Sequence, residues 1–264
     1  CSFRRYAAHT GIAYTPGAYY LPTRGSKIFQ QLTFINEAIL LAGGLGTRLR
    51  SAVPELPKCM APVNGKPFLA YVVRYLQQQG IRRFIFALGY KHNDFDAFLR
   101  SFFKEDQYTV SIEEEPLGTG GAIRLACDKA LSENVLVANG DTIFEADVAA
   151  LANFHHRHQA ACTLALKPMI NFSRYGAVVL DKDGVIQQFR EKQQCSEGLI
   201  NGGMYALNTA KFRAHDLPGK FSFEKEFLEK YTAEQTFYGL PQDGYFIDIG
   251  IPEDYEKARL ELKW

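Results

Sequence analysis

Several separated stretches of this 264-residue chain hold residue types able to handle phosphate chemistry. Leu41-Ala42-Gly43-Gly44-Leu45-Gly46-Thr47-Arg48-Leu49 follows a short apolar run. Its glycines would let backbone N–H groups approach a phosphate chain without Cβ obstruction, and Arg48 would add a forked cation. The run lacks the third glycine of the dinucleotide fingerprint, and no GxxxxGK[ST] sequence occurs. Alone, it reads equally well as a structural tight turn. Lys58 lies in Pro57-Lys58-Cys59-Met60-Ala61-Pro62, where the flanking prolines would stiffen the loop and hold the ammonium in one direction. Glu113-Glu114-Glu115-Pro116-Leu117-Gly118-Thr119-Gly120-Gly121-Ala122 reads as a passage from strand to helix. Glycines there would admit a flat base or ribose, with N–H groups free to donate. Asp141 and Asp248 each end a strand-like run, and two such carboxylates could share a hard cation such as Mg²⁺. Taken singly, Asp141 reads as a helix cap, Asp248 as a turn residue and Lys58 as a solvated lysine. Taken together, these groups are what a nucleoside triphosphate site requires.

Such residues need a frame that brings distant segments to one edge. The pattern predicts strands over 38–42, 84–88, 108–112 and 135–138, alternating with helices over 68–79, 93–103 and 120–131. That alternation implies an α/β domain with a mainly parallel sheet, whose ligands sit beyond the carboxyl ends of the strands. Past Asp141 the rhythm changes. A helix over 147–158 and a strand over 162–166 continue it, but 177–180, 185–189 and 204–207 read as short strands joined by Asp-Gly and Gly-Gly turns, an antiparallel annex. A helix over 223–231, a strand over 245–249 and a closing helix from Pro252 to 262 complete the reading.

Composition narrows the function class. Lys plus Arg number 30 against 29 for Asp plus Glu, so no global field draws the chain to nucleic acid or an anionic membrane. No apolar run approaches the roughly 18 residues that span a bilayer. The cysteines Cys1, Cys59, Cys127, Cys162 and Cys195 form no CxxC pair, which fits reduced thiols in a cytoplasmic protein. His155, His156 and His158 are spaced around a helix rather than as metal ligands and read as solvated surface. Residues 1–34 are acid-free, are punctuated by Gly11, Pro16, Gly17, Pro22 and Gly25, and carry no continuous apolar stretch of signal-peptide type. They read as an N-terminal extension outside the fold, or as an arm packed on the domain or a partner.

LAGGLGTRL followed by PKCMAP, EPLGTGGA, NGD and IDIG resembles the signature set of the sugar-1-phosphate nucleotidyltransferases, from about residue 36 to the C-terminus. Within that family EPLGTGGAI, Phe189-Arg190-Glu191-Lys192, Asn201-Gly202-Gly203-Met204-Tyr205, Phe221-Ser222-Phe223-Glu224-Lys225 and the run from Phe246 to Tyr255 look most like the D-glycero-D-manno-heptose 1-phosphate guanylyltransferases. The resemblance implies a Rossmann-like three-layer α/β fold of the nucleotide-diphospho-sugar transferase type. One domain would cover 35–264, with a nucleotide-binding part over about 36–145 and a sugar-phosphate-binding part over about 146–264. It implies condensation of an NTP, GTP by the subfamily likeness, with a sugar 1-phosphate, supplying nucleotide sugar for glycans such as lipopolysaccharide, capsule or S-layer. UTP-, dTTP- or CTP-dependent hexose-1-phosphate transfer and a non-catalytic nucleotide-sugar-binding paralogue are the alternatives. By motif position Arg48 and Lys58 would hold the triphosphate and Asp141 and Asp248 the Mg²⁺. Leu41, Ala42, Gly43, Gly44, Gly46 and Thr47, with Pro116, Leu117, Gly118 and Thr119, would cradle the nucleotide. Lys192 would meet the sugar phosphate, and Gly176, Glu191, Asn201 and Gly202 would line the sugar pocket. Cys59 inside the PKxM motif and Ile251 after the second aspartate depart from the common pattern, and neither removes a charge. The partners implied are small molecules, with no nucleic acid or membrane and with room for a homo-oligomer.

The chemistry suits this reading independently of the likeness. A sugar phosphate is itself an oxygen nucleophile, so attack on the α-phosphorus needs no activated Ser, Cys or His. In-line positioning and charge neutralisation are enough.

Overall fold

Successive side chains of the central strands point to opposite faces, and both faces are apolar. In β1 (Glu37–Leu41), Ala38 and Leu40 enter one buried cluster and Ile39 another. β4 (Arg83–Leu88) and β6 (Asn134–Asn139) divide likewise, with Phe84, Phe86, Leu136 and Ala138 on the first side and Ile85, Ala87, Val135 and Val137 on the second. A strand with two apolar faces must be covered twice. The first face is covered by α1 (Phe68–Gln78), α2 (Asp96–Phe102), α4 (Val148–Arg157) and α6 (Pro252–Glu261). The second is covered by α3 (Gly118–Cys127), α5 (Thr209–Arg213) and a π-helix (Phe223–Glu229). Each fully buried Phe or Leu in these layers contributes roughly 2 kcal/mol of apolar burial. The structure, a computed structural model, describes residues 34–44, 56–89 and 91–264. Gly46, Thr47 and Arg48, and the segment 1–33, lie outside the described residues.

The main sheet runs β10 (Ile186–Arg190), β9 (Ala177–Leu180), β11 (Cys195–Asn208), β6, β1, β4 and β5 (Tyr108–Ile112). β1 is parallel to β4 and β6, and β4 to β5 (Tyr108–Ile112), which is the expected parallel core. The antiparallel part is continuous with that sheet. β11 (Cys195–Asn208) is antiparallel to β6, to β8 (Cys162–Phe172) and to β9 (Ala177–Leu180), and β10 (Ile186–Arg190) is antiparallel to β9. β12 (Phe237–Pro241) joins β8 in parallel. Two small ribbons stand apart: β7 (Thr142–Phe144) with β13 (Phe246–Asp248), and β2 (Pro62–Val63) with β3 (Lys66–Pro67). Among the described residues no helix is long and apolar enough to cross a membrane.

Local chemistry sets the helix limits. Gly80, at φ +97°, stops α1 in a conformation costly to other residues, Asp147 caps α4 by accepting from the Ala150 N–H at 2.8 Å, and Pro252 opens α6. Other limits differ from the sequence reading. α3 begins at Gly118 and ends at Cys127, and the helix expected over 93–103 splits into a 3₁₀ turn (His92–Phe95) and α2. The helix expected over 223–231 is the π-helix, and the strand expected over 204–207 is only the end of β11, whose Gly-containing first part is held by pairing on both sides. The solvated-surface reading fails for His155. It is 2 % exposed, with Nδ1 2.9 Å from Thr163 Oγ1 and Nε2 3.2 Å from Asn134 Oδ1. His156 is exposed, and His158 packs between Phe154 and Tyr238. Cys59, Cys127 and Cys162 are buried free thiols and Cys195 a half-buried one.

Candidate active site

Lys58 opens a 3₁₀ turn (Lys58–Met60) set between Pro57 and Pro62. The Met60 N–H donates to the Pro57 carbonyl at 2.8 Å and the Ala61 N–H to the Lys58 carbonyl at 3.1 Å. Because Cys59 and Met60 occupy the core, Lys58 points the other way, with only 15 % of its side chain exposed. Its Nζ donates to Asp141 Oδ2 at 2.6 Å and to Asp248 Oδ1 at 3.1 Å. Burial by itself would lower the lysine pKa, but attraction and hydrogen bonding from both aspartates outweigh it, so the ammonium is held above the ordinary 10.5.

The two carboxylates come from distant segments fixed by pairing. Gly140 donates its N–H to the Leu41 carbonyl at 2.9 Å, which sets Asp141 beside the carboxyl end of β1. Asp248 ends β13, lies opposite Thr142 of β7, and is followed by the Ile249 N–H donating to the Asp141 carbonyl at 3.1 Å. Asp248 Oδ1 also accepts from the Gly250 N–H at 2.8 Å. Both aspartates therefore face one cation position. Among the described residues no group of three or more His, Cys, Asp or Glu could hold a metal ion. A divalent ion here would draw its remaining oxygens from water and phosphate, the habit of Mg²⁺.

The proposed nucleotide side adjoins this position. Ala42 donates to the Ala87 carbonyl at 3.0 Å, and its own carbonyl accepts from Cys59 Sγ at 3.7 Å. Gly43 is packed, since a Cβ there would lie 2.8 Å from the Gly89 nitrogen and 3.3 Å from Glu113 Oε1, whereas a Cβ on Gly44 would meet nothing within 4 Å among the described residues. A cleft of about 430 Å³, lined in part by Gly89, His92, Asn93, Ile112, Glu113 and Glu114, opens next to Gly43. The Pro116–Thr119 turn is tied to it by the Leu117 N–H donating to Glu113 Oε2 at 3.0 Å. The glycines at the start of α3 serve a purpose different from the one read in the sequence. Gly118, at φ +74°, lies against the Phe221 carbonyl, Gly120 against the Phe221 ring, and the Gly120 N–H is spent on the Phe221 carbonyl at 3.0 Å.

On the proposed sugar side, Gly176 backs onto the Arg190 carbonyl, where a Cβ would stand at 2.6 Å. Asn201 and Gly202 sit where β11 shifts register against β8, and Gly202 leaves room for the Phe144 ring of β7. Rings then link the two walls, with Phe144 5.8 Å from Phe246 and Phe246 5.9 Å from Tyr175. Burial, with Asp248 next in weight, pushes the Tyr175 phenol up to about 12. Gly202 thus meets the β7–β13 ribbon directly, and Tyr175, next to Gly176, meets it through Phe246. Glu191 and Lys192 follow β10 directly and are exposed, with no hydrogen bond or ion pair to Asp141 or Asp248. Sequence reasoning assigned no role to Tyr175, Phe144, Phe246, Tyr205 or Glu224. Tyr175 stands next to Gly176, and Phe246 and Glu224 lie inside motif runs, so adjacency was the available signal.

The sequence model of the Nucleotidyl transferase family matches residues 37–263. The chain is 51% identical over 86% of its length to D-glycero-alpha-D-manno-heptose 1-phosphate guanylyltransferase of Aneurinibacillus thermoaerophilus, covering 98% of that protein. It is 43% identical over 83% of its length to the enzyme of the same name from Campylobacter jejuni subsp. jejuni, covering 96% of it. A crystal structure of HddC from Yersinia pseudotuberculosis complexed with GMP-PN superposes with a TM-score of 0.76 at 36% identity, across 87% of this chain and 100% of that one.

Proposed function

Because the chain belongs to the Nucleotidyl transferase family, we propose that it condenses GTP with D-glycero-α-D-manno-heptose 1-phosphate to give GDP-heptose and pyrophosphate. The observation that carries this is the meeting of Asp141 and Asp248 on the Lys58 ammonium at the carboxyl end of β1, beside Gly43 and Gly44. Both relatives are named for the heptose phosphate. The whole of 35–264 acts as one domain in the cytoplasm, its first part, about 36–145, taking the nucleotide and the remainder the sugar phosphate.

A phosphate oxygen of the sugar 1-phosphate attacks the α-phosphorus of GTP, and the bond from that phosphorus to the β-bridging oxygen breaks as pyrophosphate leaves. Lys58, with Arg48, holds the triphosphate and offsets its charge, and Gly44 leaves its oxygens room. Asp141 and Asp248 would hold Mg²⁺, which would supply neutralisation of charge on the reacting phosphates. Leu41 to Gly44 and the Pro116–Thr119 turn cradle base and ribose. The cleft beside Gly43 receives guanine, whose N1–H and N2 amino donors suit the carboxylates of Glu113 and Glu114. Gly176, Glu191, Asn201 and Gly202 contact the heptose, and Lys192 its phosphate.

Pyrophosphate release from GTP, UTP, dTTP and CTP, each against heptose, mannose and glucose 1-phosphates, tests the proposal. We expect turnover with Mg²⁺, GTP and the manno-configured heptose phosphate. Preference for UTP or dTTP with glucose 1-phosphate would overturn the choice of substrates, and absence of turnover with every pair would overturn catalysis.

A further inference from the structure

The last helix, α6, is tied to three walls of the proposed site. It begins at Pro252, a few residues after Asp248, and the stretch between them is fixed by the Ile249 N–H donating to the Asp141 carbonyl at 3.1 Å. In its first turn, Asp254 Oδ2 accepts from Arg174 Nη1 at 2.5 Å. The same guanidinium lies 5.5 Å from the ring centre of Tyr175, which packs on Phe246 of β13 and precedes Gly176 of the proposed sugar side. The next residue of the helix, Tyr255, is 5 % exposed, and its hydroxyl donates to the Pro62 carbonyl at 2.5 Å. Pro62 begins β2 directly after the turn that carries Lys58. At the far end of α6, Asn64 of the β2–β3 turn donates from Nδ2 to the carbonyls of Arg259 at 3.0 Å and Leu262 at 2.9 Å. The last carbonyls of a helix lack partners within it, so Asn64 closes the end of α6 onto the hairpin beyond Lys58.

We infer that Asp254 and Tyr255 are positioning residues for opposite sides of the reaction. Tyr255, with Asn64, fixes the segment that carries Lys58, and Asp254, through Arg174, fixes the loop that carries Tyr175 and Gly176. Adjacent helical residues project about 100° apart, so one rigid turn reaches two walls. Lys58 is also bonded to Asp248, just before the same helix. The cation of the nucleotide side and the wall of the sugar side are therefore held at a set separation by a helix, which keeps a geometry more closely than loops do. The Arg174–Asp254 pair is partly exposed, with side chains 41% and 25% accessible. Such a pair adds little to stability, so its loss should be read in substrate binding and not in unfolding.

This inference rests on the assignment of Lys58 to the triphosphate and Gly176 to the sugar. Its test is steady-state kinetics in both substrates, with thermal denaturation, on Tyr255→Phe, Asn64→Gly, Asp254→Ala, Arg174→Ala and the double variant of the last two. Tyr255→Phe and Asn64→Gly should lower kcat about five- to tenfold and leave KM for the sugar phosphate within about twofold. Asn64→Gly keeps the positive φ of that position, +47°, while removing the donor. Asp254→Ala and Arg174→Ala should each raise KM for the sugar phosphate about five- to tenfold, with kcat and KM for the nucleotide within about twofold. The double variant should be no worse than either single one, because the two residues act as a pair. Should Tyr255→Phe fail to fold, Asn64→Gly decides for the Lys58 side. Near-parental constants on either side overturn the inference, as does a common shift of every constant that follows lost thermal stability. Additive losses in the double variant overturn it too, since Arg174 would then meet the substrate directly. A parent protein without turnover overturns the functional proposal, and the inference with it.

Discussion

The charge on Lys58 is set by its two neighbours. Burial disfavours the ammonium, and Asp141 and Asp248 more than restore it. Since the folded pKa exceeds the unfolded value of 10.5, the stabilisation is complete below 10.5 and disappears as pH rises through the folded value. Replacing Lys58 by Ala would leave two carboxylates facing each other and remove a cation from the proposed triphosphate site. Turnover in Lys58→Ala, and in Asp141→Asn, should fall by about 10²-fold or more, read by pyrophosphate release, while circular dichroism stays native. Near-normal rates would remove these residues from their roles. Lys58 was legible in the sequence because prolines flank it. Its partnership with both aspartates was not, because that depends on the β7–β13 ribbon, whose β7 strand is only three residues long.

Glycine runs look alike in a sequence, yet two elements use them in opposite ways. At the start of α3 a Cβ on Gly120 would stand 2.1 Å from the Phe221 ring, and Phe221 is buried. Gly120→Ala should therefore separate the helix start from the segment before the π-helix and destabilise the protein by about 1–3 kcal/mol in urea unfolding. Among the described residues, a Cβ on Gly44 would meet no atom within 4 Å. Gly44→Ala should leave the urea midpoint almost unchanged and raise KM for the nucleotide. If both variants lose stability equally, the distinction between a glycine kept for packing and one kept for a ligand is wrong. The sequence reading gave both runs to the ligand because Phe221 is about a hundred residues from Gly120 along the chain, and only the fold shows which neighbour fills the space.

Across the whole molecule, His155 joins three elements, reaching from α4 to Thr163 of β8 and Asn134 of β6. Burial first, then Lys211 and His156, lower its pKa from 6.5 to about 4. Between those values the unfolded chain binds a proton that the folded one refuses, so stability should fall as pH drops from 6.5 towards 4. The loss attributable to this one group is on the order of a few kcal/mol. Urea unfolding of the parent and of His155→Gln across that range measures it: the parent should show the steeper loss. Equal slopes would mean that other groups govern acid sensitivity. The same spacing that made this residue look like solvated surface places it on the helix side facing β8, a difference of face that depends on which element packs there.

By itself the sequence determined the α/β class, the order of strands and helices in the first half, and the family. Those rest on local periodicity and on contiguous motifs, which survive without knowledge of neighbours. Tertiary structure decided which residues meet. It joined Lys58 to Asp141 and Asp248, filled the α3 glycines with Phe221, and buried His155. Each of these depends on segments far apart in the chain. Such contacts are set by strand order and register, and a one-residue slip would turn the side chains involved to the other face of the sheet.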